Sequence, residues 1–263
     1  MLAVFIGAAL ALALALPLAW KWELGMRRVA LAVAVFALLA GLLSAPFDLG
    51  LAARALLVAA LALAISLAVL AWRFYRDPER RPPAGDGLII SPADGEVLYV
   101  REAHDGVLPV ATKHGRDYAL TELTKTPLRE NDSIVIGIAM SFLDVHVNRA
   151  PIAGRVTLRR HFPGRFGSLG KPGVVFENER ATTVIEGSGL EVAVVQIASR
   201  LVRQIAGFVE HDDEVALGQR IGVIRLGSQV DVVLPKHPGL EIEVTPGQRT
   251  FAGKSVLARI SSR

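Results

Sequence analysis

Cysteine is absent from all 263 residues, which excludes disulfides, thiolate metal sites and a cysteine nucleophile. That absence leaves the redox compartment open, because a chain without thiols suits either side of a membrane. Aromatic residues make up only 6%, and the basic residues are scattered; both features argue against a nucleic-acid surface. The net charge of +4 instead fits an anionic membrane surface or lipid head group. Charge is also sparse in residues 1–72, which are rich in Ala, Leu and Val. From Arg73 onward Gly, Pro and charges recur as in a soluble domain, and roughly 190 residues suffice for a sizeable core.

Apolar runs occupy residues 1–20, 29–43 and 55–72. A spanning helix needs about 20 apolar residues and at least about 17, so the first and third runs qualify. The second is shorter and reads as a third span or a re-entrant segment. No Lys or Arg precedes Lys21, so the first run lacks the basic start of a signal peptide. Lys21, Arg27 and Arg28 follow the first run, and Arg73, Arg76, Arg80 and Arg81 follow the third. The positive-inside rule then puts the main domain on the cytoplasmic side of the cell membrane, with two helices or three. Residues 1–72 read as a membrane anchor and 88–263 as a catalytic-sized β-rich domain. Between them, Pro82, Pro83, Gly85 and Gly87 mark 73–87 as a linker.

Short apolar runs between turn residues predict strands near 88–91, 96–100, 134–141, 155–160, 182–185, 191–197, 229–234 and 240–244. Residues 198–209 suit a helix or a strand. A weak repeat places Val209 nine positions before Gly218 and Val244 nine before Gly253, with Ile221 and Val256 three further on. The stretch 209–219 resembles the hairpins of lipoyl and biotinyl carrier domains, so the expected fold is mainly β, a barrel-sandwich behind transmembrane helices. No Lys sits at a hairpin tip, and the likeness concerns architecture alone.

Three segments carry chemistry-bearing residues. Ser91-Pro92-Ala93-Asp94-Gly95 reads first as a hairpin turn. Asp144, His146 and Asn148 alternate with Val145 and Val147, as on one face of a strand. Leu226-Gly227-Ser228 joins two apolar runs, where glycine permits a tight backbone and a serine oxygen can attack the preceding carbonyl. Asn178-Glu179-Arg180 reads by itself as part of a charged turn.

Taken in order, these segments resemble the phosphatidylserine decarboxylase family. Leu226-Gly227-Ser228 and the following Val-Asp-Val-Val-Leu-Pro run look like its processing motif, and Ser91–Gly95 like its Ser-Pro-Ala-Asp-Gly block. Residues 144–151 resemble the segment carrying its essential histidine, and Asn178-Glu179-Arg180 another block. Phe74-Tyr75-Arg76-Asp77-Pro78-Glu79-Arg80 resembles the start of its short, membrane-anchored branch. The Leu-Gly-Ser-Gln spelling is also similar to archaeal enzymes acting on archaetidylserine.

The resemblance implies self-cleavage between Gly227 and Ser228, with Ser228 becoming a pyruvoyl group that forms a Schiff base with a serine phospholipid. The small chain 228–263 would stay with the large chain 1–227. It implies His146 as base and proton donor and Asp94 as the carboxylate that orients it, in the logic of a serine triad. Long bacterial members carry a second histidine where this chain has Arg149, which leaves His146 serving both steps or His161 taking one. Arg149, Arg165 and Lys171 are candidates for the head-group phosphate; no metal is implied, and oligomeric state stays open. A membrane-anchored lipoyl-like adaptor and a serine hydrolase are the competing readings, the latter lacking a Gly-x-Ser-x-Gly elbow.

Overall fold

The computed structural model describes residues 1–22, 24–109, 117–165, 167, 173–199, 205–224 and 228–261. It divides into two compact units, Met1–Arg76 and Asp77–Arg263. The first consists of α1 (Leu2–Lys21), α2 (Met26–Ser44) and α3 (Leu51–Tyr75). All three are long and apolar enough to cross a membrane, by length and composition. Small residues fill their mutual contacts: Ala11, Ala37, Ala40 and Ala62 are buried with Val33 and Val58. Phe5, Leu14, Leu31, Leu42 and Leu56 face outward. Small residues inside and large apolar ones outside make a membrane-associated bundle, since helices in lipid gain from close packing.

The second unit is mainly β. In chain order it holds β1 (Leu88–Ile90), β2 (Gly95–Ala103), β3 (Val107–Leu108), β4 (Tyr118–Ala119), a short α4 (Leu120–Thr124), β5 (Ser133–Met140) and β6 (Val147–Arg149). There follow β7 (Gly154–Phe162), β8 (Arg180–Gly187), β9 (Leu190–Ala198), β10 (Ile205–Gly207), β11 (Glu214–Val215) and β12 (Arg220–Ile224). The chain ends with β13 (Ser228–Pro235), β14 (Leu240–Ile242), β15 (Arg249–Thr250) and β16 (Val256–Ile260). One large sheet runs β11-β7-β8-β9-β13-β5-β2-β15, with smaller sheets β10-β12-β6 and β1-β16-β14. Each expected strand has its counterpart. Of the ambiguous stretch, Ala198 closes β9 and Ile205–Gly207 is strand, while 200–204 lie outside the described residues.

One expectation fails locally. Asp144 does not continue an alternating strand with His146 and Asn148. Its carboxylate accepts the Ser141 N–H at 2.7 Å, closing a turn, so pairing begins only at Val147. The weak repeat does correspond to structure. Gly218 (φ +75°) and Gly253 (φ +73°) both take the left-handed conformation that glycine adopts without strain. Their N–H groups donate to Ala150 O and Ser91 O, and Val209 and Val244 fill the same core.

β13 is the central strand, buried on both faces. Val230, Val232 and Leu234 enter the larger core with Ile138, Met140 and Val194. On the other face Val233 joins Leu108, Leu123, Phe176 and Val195. That second face also holds Asp231, whose carboxylate accepts hydrogen bonds from Tyr99 Oη (2.9 Å) and Gln229 Nε2 (2.7 Å). Burial pushes its pKa up to about 6. Arg180, fully buried, supplies the compensating charge and donates to the carbonyls of Glu122, Leu123, Val175 and Asn178.

Two stability measurements follow from this network. Removing the guanidinium by Arg180→Leu strips four buried carbonyls and leaves Asp231 uncompensated, and should cost about 3–5 kcal/mol in urea unfolding; an unchanged midpoint would contradict the assignment. Asp231 binds its proton more tightly folded than unfolded, so that contribution is whole below about pH 4 and is lost as pH rises through about 6. The stability of the parent relative to Asp231→Asn should therefore fall by roughly 2–3 kcal/mol between about pH 4 and pH 7. A pH-independent difference would refute it.

Candidate active site

Ser228 is the first residue of β13 and stands opposite Met140 of β5 and Ala198 of β9. It is 3% exposed, and its Oγ donates to Met140 Sδ at 3.3 Å. Gly227, the other half of the expected cleavage pair, lies outside the described residues, as do Arg225 and Leu226. β12 ends at Ile224 in the three-stranded sheet, and β13 begins four positions later in the large one. Ile224 donates its N–H to His146 O at 3.1 Å. Four residue steps reach at most about 14 Å, so the strand end bonded to His146, itself 2% exposed, lies within about that distance of Ser228.

Two asparagines tie the surroundings together. Asn148 Nδ2 donates to Pro92 O at 3.3 Å and lies 3.9 Å from Met140 Sδ, while its Oδ1 accepts from Gln196 Nε2 at 2.8 Å. One side chain thus links the Ser91–Gly95 turn, the sulfur beside Ser228, and β9. Asn178 Nδ2 donates to Ala198 O at 2.8 Å, and its Oδ1 accepts the Gly167 N–H at 2.8 Å. It pins the neighbouring loop to the strand end that faces Ser228.

Asp94 is buried in its turn, and both oxygens are engaged. Oδ1 accepts from Ala252 N (2.8 Å) and Arg80 Nη1, and Oδ2 accepts from Arg80 Nη2 at 2.8 Å. Arg149 is buried as well, donating to Gly218 O (3.0 Å), Asp77 Oδ1 (3.2 Å) and Pro78 O (3.1 Å). Burial, and the nearby Arg220 charge, hold its pKa below the usual arginine value. Arg165 is exposed and pairs with Glu177 at 3.4 Å; its backbone bridges Asn178. Lys171 lies outside the described residues. His161 is half-exposed and meets Glu179 Oε1 at 2.9 Å. Among the described residues, no group of three or more His, Asp and Glu is arranged to hold a metal ion.

Sequence reasoning alone did not single out Met140, Gln196 or the Arg80–Asp94 pair. Their contacts are long-range, and no local period signals them. In the sequence Asn148 is one position in an alternation.

Residues 67–258 match the family model described as phosphatidylserine decarboxylase. A phosphatidylserine decarboxylase proenzyme of Trichlorobacter lovleyi is 40% identical over 224 residues, covering 82% of this chain and 91% of the relative. That of Ruegeria pomeroyi is 40% identical over 195 residues, 74% of this chain and 80% of the relative. A protein of Methanocaldococcus jannaschii, provisionally named an archaetidylserine decarboxylase proenzyme, is 39% identical over 193 residues, 73% of this chain and 91% of its own. A match of this breadth, in a chain whose buried Ser228 opens the central strand, leaves no room for the adaptor or hydrolase readings: the chain belongs to the phosphatidylserine decarboxylase family, and it is a carboxy-lyase.

Proposed function

We propose that this protein cleaves itself between Gly227 and Ser228 and then decarboxylates phosphatidylserine to phosphatidylethanolamine at the cytoplasmic face of the membrane. The observation that carries the proposal is Ser228 itself: a buried serine at the first residue of a strand paired on both edges, four positions after the strand end that is bonded to His146.

In the cleavage step, Ser228 Oγ attacks the Gly227 carbonyl carbon, and the bond to the Ser228 nitrogen breaks to leave an ester. Loss of the Ser228 α-proton expels the Gly227 carboxylate and leaves dehydroalanine. Water hydrolyses that to a ketone and releases ammonia. A serine hydroxyl needs a base for such an attack, and His146 takes that role. Asp94, buried in the Ser91–Gly95 turn, is the carboxylate that orients it. His146 also returns a proton to the substrate carbon in the later reaction.

Position 228 suits a chain terminus that carries the reactive group. β13 stays bonded to β5 and β9, while β15 pairs with β2 and β16 with β1. The small chain 228–263 is therefore woven into the large chain 1–227 and remains after cleavage. A pyruvoyl group held there, at the first residue of β13, would supply the electron-withdrawing ketone that decarboxylation of an amino acid head group needs. Arg165 is the better placed of the two described phosphate candidates. Its guanidinium is exposed beside the Asn178 segment, whereas that of Arg149 is engaged by Gly218, Asp77 and Pro78. The relatives bear both phosphatidylserine and archaetidylserine names; the shared serine head group is what these residues address.

His146→Ala in the full chain should slow self-cleavage by about a hundredfold or more. On a denaturing gel the freshly made protein then stays as one full-length band. Cleavage at the parent rate would remove His146 from the mechanism.

A further inference from the structure

Residues 77–80 carry an arginine whose partner lies inside the β unit. Asp77 binds Arg149 of β6 and Arg220 of β12, Glu79 binds Arg220 at 2.6 Å, and the Pro78 carbonyl accepts from Arg149. Those contacts fasten the segment to β6 and β12. Arg80 differs in direction. Its guanidinium is buried, grips both oxygens of Asp94, and donates to Ala252 O at 2.7 Å. Arg149 and Arg220 already hold the segment through Asp77 and Glu79, so one more buried charge pair is an expensive way to add a further fastening. A two-pronged grip, by contrast, fixes the plane of a carboxylate as a lysine cannot.

We propose that Arg80 is a positioning residue for self-cleavage, holding the Asp94 carboxylate in the orientation from which it acts; this rests on the role given to Asp94 above. Several charges stand around the pair. Asp77 and Glu79 share its segment, Arg149 approaches from β6, and Arg220 approaches from β12. The turn at Ala252 contributes an N–H to Asp94 and a carbonyl to Arg80, locking both halves. The part of the chain needed for chemistry accordingly starts before β1, within the segment that follows α3.

The test follows self-cleavage of freshly synthesised full-length protein for Arg80→Ala, Arg80→Lys, Asp77→Asn and Asp94→Asn, each checked for cooperative melting. Arg80→Ala should cleave roughly tenfold slower or worse and recover with added guanidinium ion, which restores the fork without any chain connection. Arg80→Lys should recover only part of the rate. Asp77→Asn, which loosens the segment but leaves Asp94 gripped, should stay within about twofold of the parent. If Asp94→Asn is blocked while Arg80→Ala cleaves at the parent rate, the role of Arg80 is overturned and that of Asp94 stands. Equal slowing of Arg80→Ala and Asp77→Asn without guanidinium recovery would reduce Arg80 to a fastener. Should Arg80→Ala fail to melt cooperatively, Arg80→Lys decides, since parent-rate cleavage there rules out any need for the fork. Parent-rate cleavage by Asp94→Asn would remove the basis for both.

Discussion

The site depends on the pairing of β13 along both of its edges. A strand bonded to β5 on one side and β9 on the other cannot slide, because a one-residue slip would turn its whole apolar set to the wrong face. Ser228 is the first residue so held. The same pairing explains why a cut there need not release the downstream piece. Its later strands pair with β2 at the edge of the same large sheet and with β1 in a smaller one.

Charge burial around this strand is organised by face. On the face away from Ser228, Asp231 and Arg180 compensate each other within a shell of Tyr99, Gln229 and backbone carbonyls. On the Ser228 side, Asn148 and Gln196 link strands through an uncharged hydrogen bond, and Asp94 is paired with Arg80. Burying each ion beside a partner of opposite charge limits the desolvation cost.

Much of this was legible in the residue order. Alternation and turn residues located the main strands, and the long apolar runs became α1, α2 and α3. The nine-residue spacing from valine to glycine located two equivalent left-handed turns, because that conformation favours glycine whatever the surroundings. Tertiary partners were not legible. Arg149 looked available for a phosphate, but its guanidinium meets Asp77, some seventy positions earlier in the chain. The carboxylate of Asp94 is gripped by Arg80, fourteen positions earlier in the chain. Asp144 departed from its strand because its carboxylate found a nearer N–H within the turn. In each case a side chain chose a partner that no local pattern encodes.

The claim that Ser228 becomes the reactive group is tested most directly by the intact mass of the purified protein beside a Ser228→Ala control. The account predicts two chains meeting at Gly227 and Ser228, the smaller lighter by one ammonia than a peptide beginning with serine, and a single uncut chain in the control. One full-length chain from the folded parent protein, or a small chain that keeps its serine amine, would contradict it.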